Sequence, residues 1–422
     1  MKKGFLLGAG FSYDFGMPLA SELSEVFFSL FNKKNIQLWA NLISENEPYG
    51  KERPINKKAI LEGLTLLLEH KNNNQKNYEQ FLAEIQQLNQ LHNKSLSDKD
   101  SYSYLFGLFY EIIHSILSLY QEESFGRLYC VNKKWFTNFS NLFGDEETWI
   151  FTLNHDLYME SLAIDLKIPI TYGDHHKIAF PVSNYEINNH ITFTYSNRNE
   201  LKKDSQNFYK KEFGINLVKL HGGLSELNYK DRTMICNQDL KKKSSFELMT
   251  DFMKIEKMAY YHGGRKIPSG KDRVITNMDG ELDIICKSML TGGKKYSKTT
   301  NPKDGEEKLL IFDDIIKTLN ELIIIGYGFG DKHVNNRILN AMVLNNNLQL
   351  TIIDSQHRPI PEFLEQFDYN SRIKRVQSSI AHWIEYCHTG KWNQELSESL
   401  KENEKLRIEV KNSVEQRFGN RK

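Results

Sequence analysis

Leu322-Ile323-Ile324-Ile325-Gly326-Tyr327-Gly328-Phe329-Gly330-Asp331 puts a strand and a loop side by side. Consecutive aliphatics without polar alternation read as a strand buried on both faces, as in parallel sheets. Alternating glycines then break the run. A helical pattern around residues 315–320 precedes it, and a helix is expected from about His333. Leu348-Gln349-Leu350-Thr351-Ile352-Ile353 reads as the next strand. Such strands separated by helices predict an α/β fold on a doubly wound, mostly parallel sheet.

The same pattern appears earlier in the chain. Residues 4–7 read as a short buried strand, followed by Gly8-Ala9-Gly10-Phe11-Ser12. The dehydrogenase fingerprint G-x-G-x-x-G would need glycine at position 13, where Tyr13 stands; the next glycine is Gly16. A helix is expected from Pro18, with Leu19, Leu23, Val26, Phe27, Leu30 and Phe31 at helical spacing. Trp149-Ile150-Phe151-Thr152-Leu153 and Ile215-Asn216-Leu217-Val218-Lys219-Leu220 are further strands.

Two stretches interrupt this alternation. Residues 32–123 read as a helical insertion, with apolar stripes through Phe81, Leu82 and Ile85 and through Leu105, Phe109 and Ile113. Residues 222–304, lysine-rich with Gly263-Gly264 and Gly292-Gly293, read as a second insertion. The expected organisation is a sheet-bearing domain over residues 1–380 carrying both insertions, then a helical segment over 381–422. That segment has a sparse stripe of Leu406, Val410 and Val414, which suits an assembly surface better than a catalytic one.

With 422 residues, 40% hydrophobic and 26% charged, the chain can bury a sizeable core. A net charge of +1 removes the whole-chain case for a nucleic-acid or membrane binder, leaving a local basic groove open. Lys241-Lys242-Lys243 and Lys294-Lys295 read as solvated faces. Cys130, Cys236, Cys286 and Cys387 are scattered singly, so neither a zinc ribbon nor a disulfide framework is indicated. His175-His176 lacks a partner at ligand spacing and reads as loop. Phe5-Leu6-Leu7 is too short for a secretion signal, and no apolar run approaches a membrane span, so a cytoplasmic protein is expected.

Four loops at strand ends carry the chemistry, and open parallel sheets bind ligands at their carboxyl ends. Gly8 and Gly10 allow close backbone approach, Ser12 offers a hydroxyl, and the helix that follows offers free N–H groups to a pyrophosphate. Read structurally, this is a plain strand-to-helix turn. In Thr152-Leu153-Asn154-His155-Asp156, Asn154 either binds a sugar hydroxyl or positions water, with Asp156 locking the loop; otherwise both residues cap the next helix. In Lys219-Leu220-His221-Gly222-Gly223, His221 suits proton transfer near neutral pH, and the glycines leave room beside it. Gly326 and Gly328 suit backbone approach to another part of the same ligand, with Asp331 and Asn335 as ribose or adenine partners.

GAGFS, TLNHD and KLHG, in this order on successive strands, resemble the sirtuin family. GYGFGDKHVN followed by the strand ending in Asp354 looks like the closing element of the bacterial sirtuin-like domain. The resemblance spans residues 4–354 apart from the insertions, and implies a sirtuin-like Rossmann-type sheet that holds NAD. By that match His221 and Asn154 are catalytic, Asp156 lies beside the nicotinamide ribose, and Gly8, Ala9, Gly10 and Ser12 hold phosphate. The paired zinc cysteines of sirtuin deacylases are missing, and Leu19-Ala20-Ser21 follows Gly16-Met17-Pro18 where those enzymes carry Phe-Arg. The resemblance is therefore to sirtuin-like NAD hydrolases of anti-phage defence, which cleave NAD to nicotinamide and ADP-ribose. NAD is then a substrate, and no metal is expected, because the pyridinium is already a good leaving group. A homo-oligomer is expected, with a separate sensor or ATPase protein as a partner in some relatives. The alternatives are a protein deacylase or ADP-ribosyl transferase, and a regulatory module that binds NAD or ADP-ribose without turnover.

Overall fold

The computed structural model describes residues 2–45, 52–73, 76–91, 93–182, 188–258, 261–262, 265–266, 272–291, 305–356 and 358–419. Gly263-Gly264, Gly292-Gly293 and Lys294-Lys295 lie outside these residues. The strands in chain order are β1 Lys3–Leu7, β2 Glu147–Thr152, β3 Ile170–Thr171, β4 His176–Pro181, β5 His190–Asn197, β6 Gly214–Lys219, β7 Leu227–Tyr229, β8 Met234–Gln238, β9 Tyr261–His262, β10 Arg265–Lys266, β11 Asp272–Thr276, β12 Leu282–Lys287, β13 Glu321–Ile325, β14 Gln349–Asp354 and β15 Ile373–Gln377.

Seven strands form one parallel sheet in the order β15-β14-β13-β1-β2-β6-β3. Its central strands are the continuous aliphatic runs, because both faces are covered. Alternate residues point to opposite faces. Leu6, Phe151, Leu322 and Ile324 pack with Phe312, Ile316, Val334 and Ile338 of helices Glu306–Ile316 and Lys332–Leu344. On the other face Phe5 meets Phe139 and Phe143, at ring-centroid distances of 5.9 and 5.5 Å. At the edges, β3 has two residues and β15 shows mixed exposure, so neither carried the buried-run signal.

The helix expected at 315–320 instead ends at Ile316. The Thr318 hydroxyl bonds the Ile315 carbonyl, and Asn320 is tied to Lys2 through both backbone and side chain. The helix expected from Pro18 starts at Ala20, because the Glu22 carboxylate accepts the Leu19 N–H at 2.7 Å and sets the first turn there. A short helix, Ala9–Tyr13, directly follows Gly8.

A second, antiparallel sheet has the order β11-β12-β7-β8-β5-β4. Strands β7, β8, β11 and β12 of this sheet come from within residues 222–304, while β4 and β5 come from before β6. Of the pair expected in a loop, His175 lies in one and His176 does not. His176 opens β4 and pairs with Tyr195 of β5. The alternation of Ile191, Phe193 and Tyr195 on β5 reflects one covered face, with Phe180, Phe193, Tyr229 and Ile255 in the core beneath.

By backbone contacts the chain divides into two units. The first comprises Met1–Met17, Tyr120–Met289 and Thr299–Val410, and carries both sheets; the second is mainly Pro18–Leu119. In the second unit the helices Ala20–Ser29, Lys33–Glu45, Lys57–Asn72 and Tyr78–Gln90 are followed by the start of Leu96–Ser124. Their core is aromatic: Phe27, Phe28, Phe31, Phe81 and Phe109 pack mostly edge to face, with Phe27 and Phe81 tilted, and centroids 5.1–6.0 Å apart. In the first unit, helix Gln394–Gly419 seats Arg407 over the Tyr13 ring, 3.4 Å from its centroid, and donates to the Tyr13 and Met17 carbonyls. Among the described residues no helix is long and apolar enough to cross a membrane.

Candidate functional site

Strand register brings the four loops to one level. Leu7 pairs with Ile325 on one side and Thr152 on the other, and Thr152 pairs with Lys219. Gly326, Gly8, Leu153 and Leu220 therefore leave the sheet together, at the carboxyl ends of β13, β1, β2 and β6. This is the edge where an open parallel sheet receives ligands.

The glycines of β1 and β13 answer first to one another. A Cβ on Gly8 would meet the Gly326 carbonyl oxygen at 2.6 Å, and one on Gly10 would meet the Gly326 Cα at 2.7 Å. Gly326 has φ +59° and faces the Gly10 Cα. The Gly10 N–H donates to the Gly326 carbonyl at 3.0 Å. Backbone packing thus accounts for Gly8, Gly10 and Gly326, which is the structural alternative the sequence left open for the first loop. At Gly328 the nearest obstacle is the Arg358 guanidinium, at 2.8 Å, and around Gly330 the space is open. Between them Phe329 takes φ +55°, a left-handed conformation uncommon outside glycine.

Asn154 ties β1 to β2. Its amide nitrogen donates to the Gly8 carbonyl and to the Ser12 hydroxyl, each at 2.9 Å. The Gly8 oxygen can only accept, so the amide NH₂ faces it. Asn154 Oδ1 is the acceptor left to offer. Ser12 is 1% exposed and bonds the Asp156 carboxylate as well, so its hydroxyl is engaged within the protein. Asp156 accepts the Tyr158 N–H at 3.0 Å and so starts helix Tyr158–Asp165. Burial raises the Asp156 carboxyl above the usual range, against the opposing pull of the Lys219 ammonium and the Ser12 hydroxyl.

Lys219, at the end of β6, runs back under this loop. Its ammonium donates to the Asp156 carbonyl and lies 2.7 Å from Glu160 Oε1, with side-chain exposures of 2% and 0%. The Tyr172 hydroxyl shares that oxygen at 2.8 Å, while Glu160 Oε2 is buried without a hydrogen-bond partner. Sequence reasoning gave Lys219 and Glu160 no role. The available signal was a lysine closing a run of buried residues, which must find a buried partner.

His221 follows β6, and its Nε2 lies 2.8 Å from Asp331 Oδ2 with both side chains under 10% exposed. The glycines after it do not leave open room: a Cβ on Gly222 (φ +69°) would strike Ser288, and one on Gly223 would strike the Lys219 side chain. His155 donates Nδ1–H to the Gly222 carbonyl at 3.1 Å, and its ring centroid is 6.5 Å from that of His221. Asp331 and Asn335, expected to bind ribose or adenine, have their polar groups on the protein. Asn335 donates to the Phe329 carbonyl at 2.7 Å and accepts the Tyr327 hydroxyl at 2.8 Å.

Among the described residues one group could offer three donor atoms to a cation. His175, His176 and Glu200, all exposed, place their donor atoms within 4.8 Å of one another. His175 and Glu200 already make a surface pair at 3.7 Å. No protein-family model matches the chain, and no curated protein matches it closely enough to count as a relative.

Proposed function

We propose that the chain is an NAD hydrolase with a sirtuin-like Rossmann-type sheet, releasing nicotinamide and ADP-ribose. The observation that carries this reading is the buried His221 imidazole, held on Asp331 at the same sheet edge from which Asn154 and the Gly8–Gly10 turn emerge. Cleaving the nicotinamide–ribose bond develops positive, oxocarbenium-like charge at the anomeric carbon, with neutral nicotinamide leaving. His221 accepts a proton from the attacking water, directly or through a ribose hydroxyl. Asn154 Oδ1 positions that water or hydroxyl, since its NH₂ is already committed. The glycine turns offer the pyrophosphate the least side-chain hindrance. The family resemblance further suggests a role as an NAD-depleting effector in bacterial defence.

The test pairs NAD binding by calorimetry with nicotinamide release by the purified protein. Binding with release supports the hydrolase. Binding without release favours the non-catalytic module, and no binding removes both. Release that depends on an acyl-lysine peptide would favour the deacylase alternative.

A further inference from the structure

We propose that Asp331 is a positioning residue that fixes the tautomer of His221, so that Nδ1 is the proton-accepting nitrogen. The proposal rests on the reading of His221 as the general base. Asp331 is the N-cap of helix Lys332–Leu344, and its Oδ1 accepts the N–H groups of His333 at 2.9 Å and Val334 at 3.3 Å. That pins the carboxylate at the positive end of a helix, which favours its ionised form. Its other oxygen, Oδ2, is the one 2.8 Å from His221 Nε2. A carboxylate only accepts, so Nε2 carries the hydrogen and Nδ1 is the unprotonated nitrogen of the neutral ring.

The loop is braced to hold this arrangement. The Asp331 N–H donates to the Tyr327 hydroxyl at 3.2 Å, and Asn335 anchors Phe329. His221 and Asp331 leave strands three places apart in the sheet, about 14 Å at ordinary strand spacing. The loops that follow the two strands carry the side chains into contact across that span. During the reaction the proton from water or a ribose hydroxyl goes to Nδ1. Asp331 then faces an imidazolium and stays ionised.

Asp331→Asn tests this, because asparagine caps a helix as well as aspartate does. With its oxygen kept on the helix N–H groups, the new amide turns its NH₂ toward Nε2. Two donors then face each other, and the ring must move its hydrogen to Nδ1. Nitrogen NMR of histidine-labelled full-length protein at alkaline pH, with His221 assigned from His221→Gln, reads the tautomer directly. The expected result is Nε2–H in the wild type and Nδ1–H in D331N, with an unchanged melting temperature. NAD turnover should fall by about a hundredfold to ten-thousandfold in kcat at similar KM. An Nδ1–H wild-type ring, or an unaltered ring in D331N, would overturn the proposal. If D331N fails to fold, the wild-type spectrum still decides. A tautomer switch in a protein that never releases nicotinamide would keep the positioning role and remove the hydrolase reading, so the two failures are distinguishable.

Discussion

The carboxyl edge of the parallel sheet and the core of the helical unit are both densely buried, but with opposite chemistry. Phe27, Phe28, Phe31, Phe81 and Phe109 fill the helical core with rings that need no polar partner. The sheet edge buries Asp156, Glu160, Lys219, His221 and Asp331. Apolar burial stabilises directly, whereas buried ion pairs roughly break even against apolar replacements. The difference teaches that the helical core contributes stability through apolar contact, while the sheet edge uses its buried charges to hold side chains in one geometry.

The largest effect is expected at the sheet edge, in turnover. His221→Ala should slow nicotinamide release by about a hundredfold to ten-thousandfold, in a protein that still folds and binds nucleotide. Near wild-type turnover would break the comparison at its centre. Next come substitutions that act on stability in each region. Lys219→Met strands Glu160 as an uncompensated buried charge and should cost about 3–5 kcal/mol in chemical denaturation. Phe81→Ala should cost a similar amount, about 3–5 kcal/mol, by opening a cavity, while turnover per folded molecule stays unchanged. If the two substitutions impair turnover equally, the division of labour is wrong.

The smallest effect separates the regions by pH. Asp14 Oδ2 is buried without a hydrogen-bond partner, and burial pushes this carboxyl up to about 7 from 3.8. A raised folded-state value means that the group stabilises most when protonated, below the unfolded value. Its contribution is lost as pH rises from about 4 towards 7. Asp14→Asn should therefore raise the melting temperature at pH 8, by about 1–2 °C for each kcal/mol recovered, and leave it unchanged at pH 3. An equal shift at both pH values would mean that Asp14 is not the titrating group.

The strands of the parallel sheet were legible because each is a run of aliphatics ending in a glycine or polar turn. Their common ending level follows from pairing such runs in register. The second sheet was not legible: its short strands alternate polar with apolar residues and pair across β6. The location of the candidate site was readable from Gly8, Asn154, His221 and Asp331 at strand ends, but their partners were not. Nothing in GDKHVN says that one carboxylate oxygen caps a helix while the other meets an imidazole more than a hundred residues earlier. Nor does KLHGG say that its glycines make way for Ser288 and Lys219.

The close approach of Gly10 and Gly326 has an evolutionary consequence. A side chain added at either position meets backbone rather than a flexible neighbour, with the Gly10 Cα only 2.4 Å from where a Gly326 Cβ would sit. Crowding between side chains is usually repaired by shrinking the partner, but glycine has nothing to give up. The two positions therefore share no compensatory path through sequence space. A library randomised at both should return glycine at both, in every lineage that keeps these loops in contact.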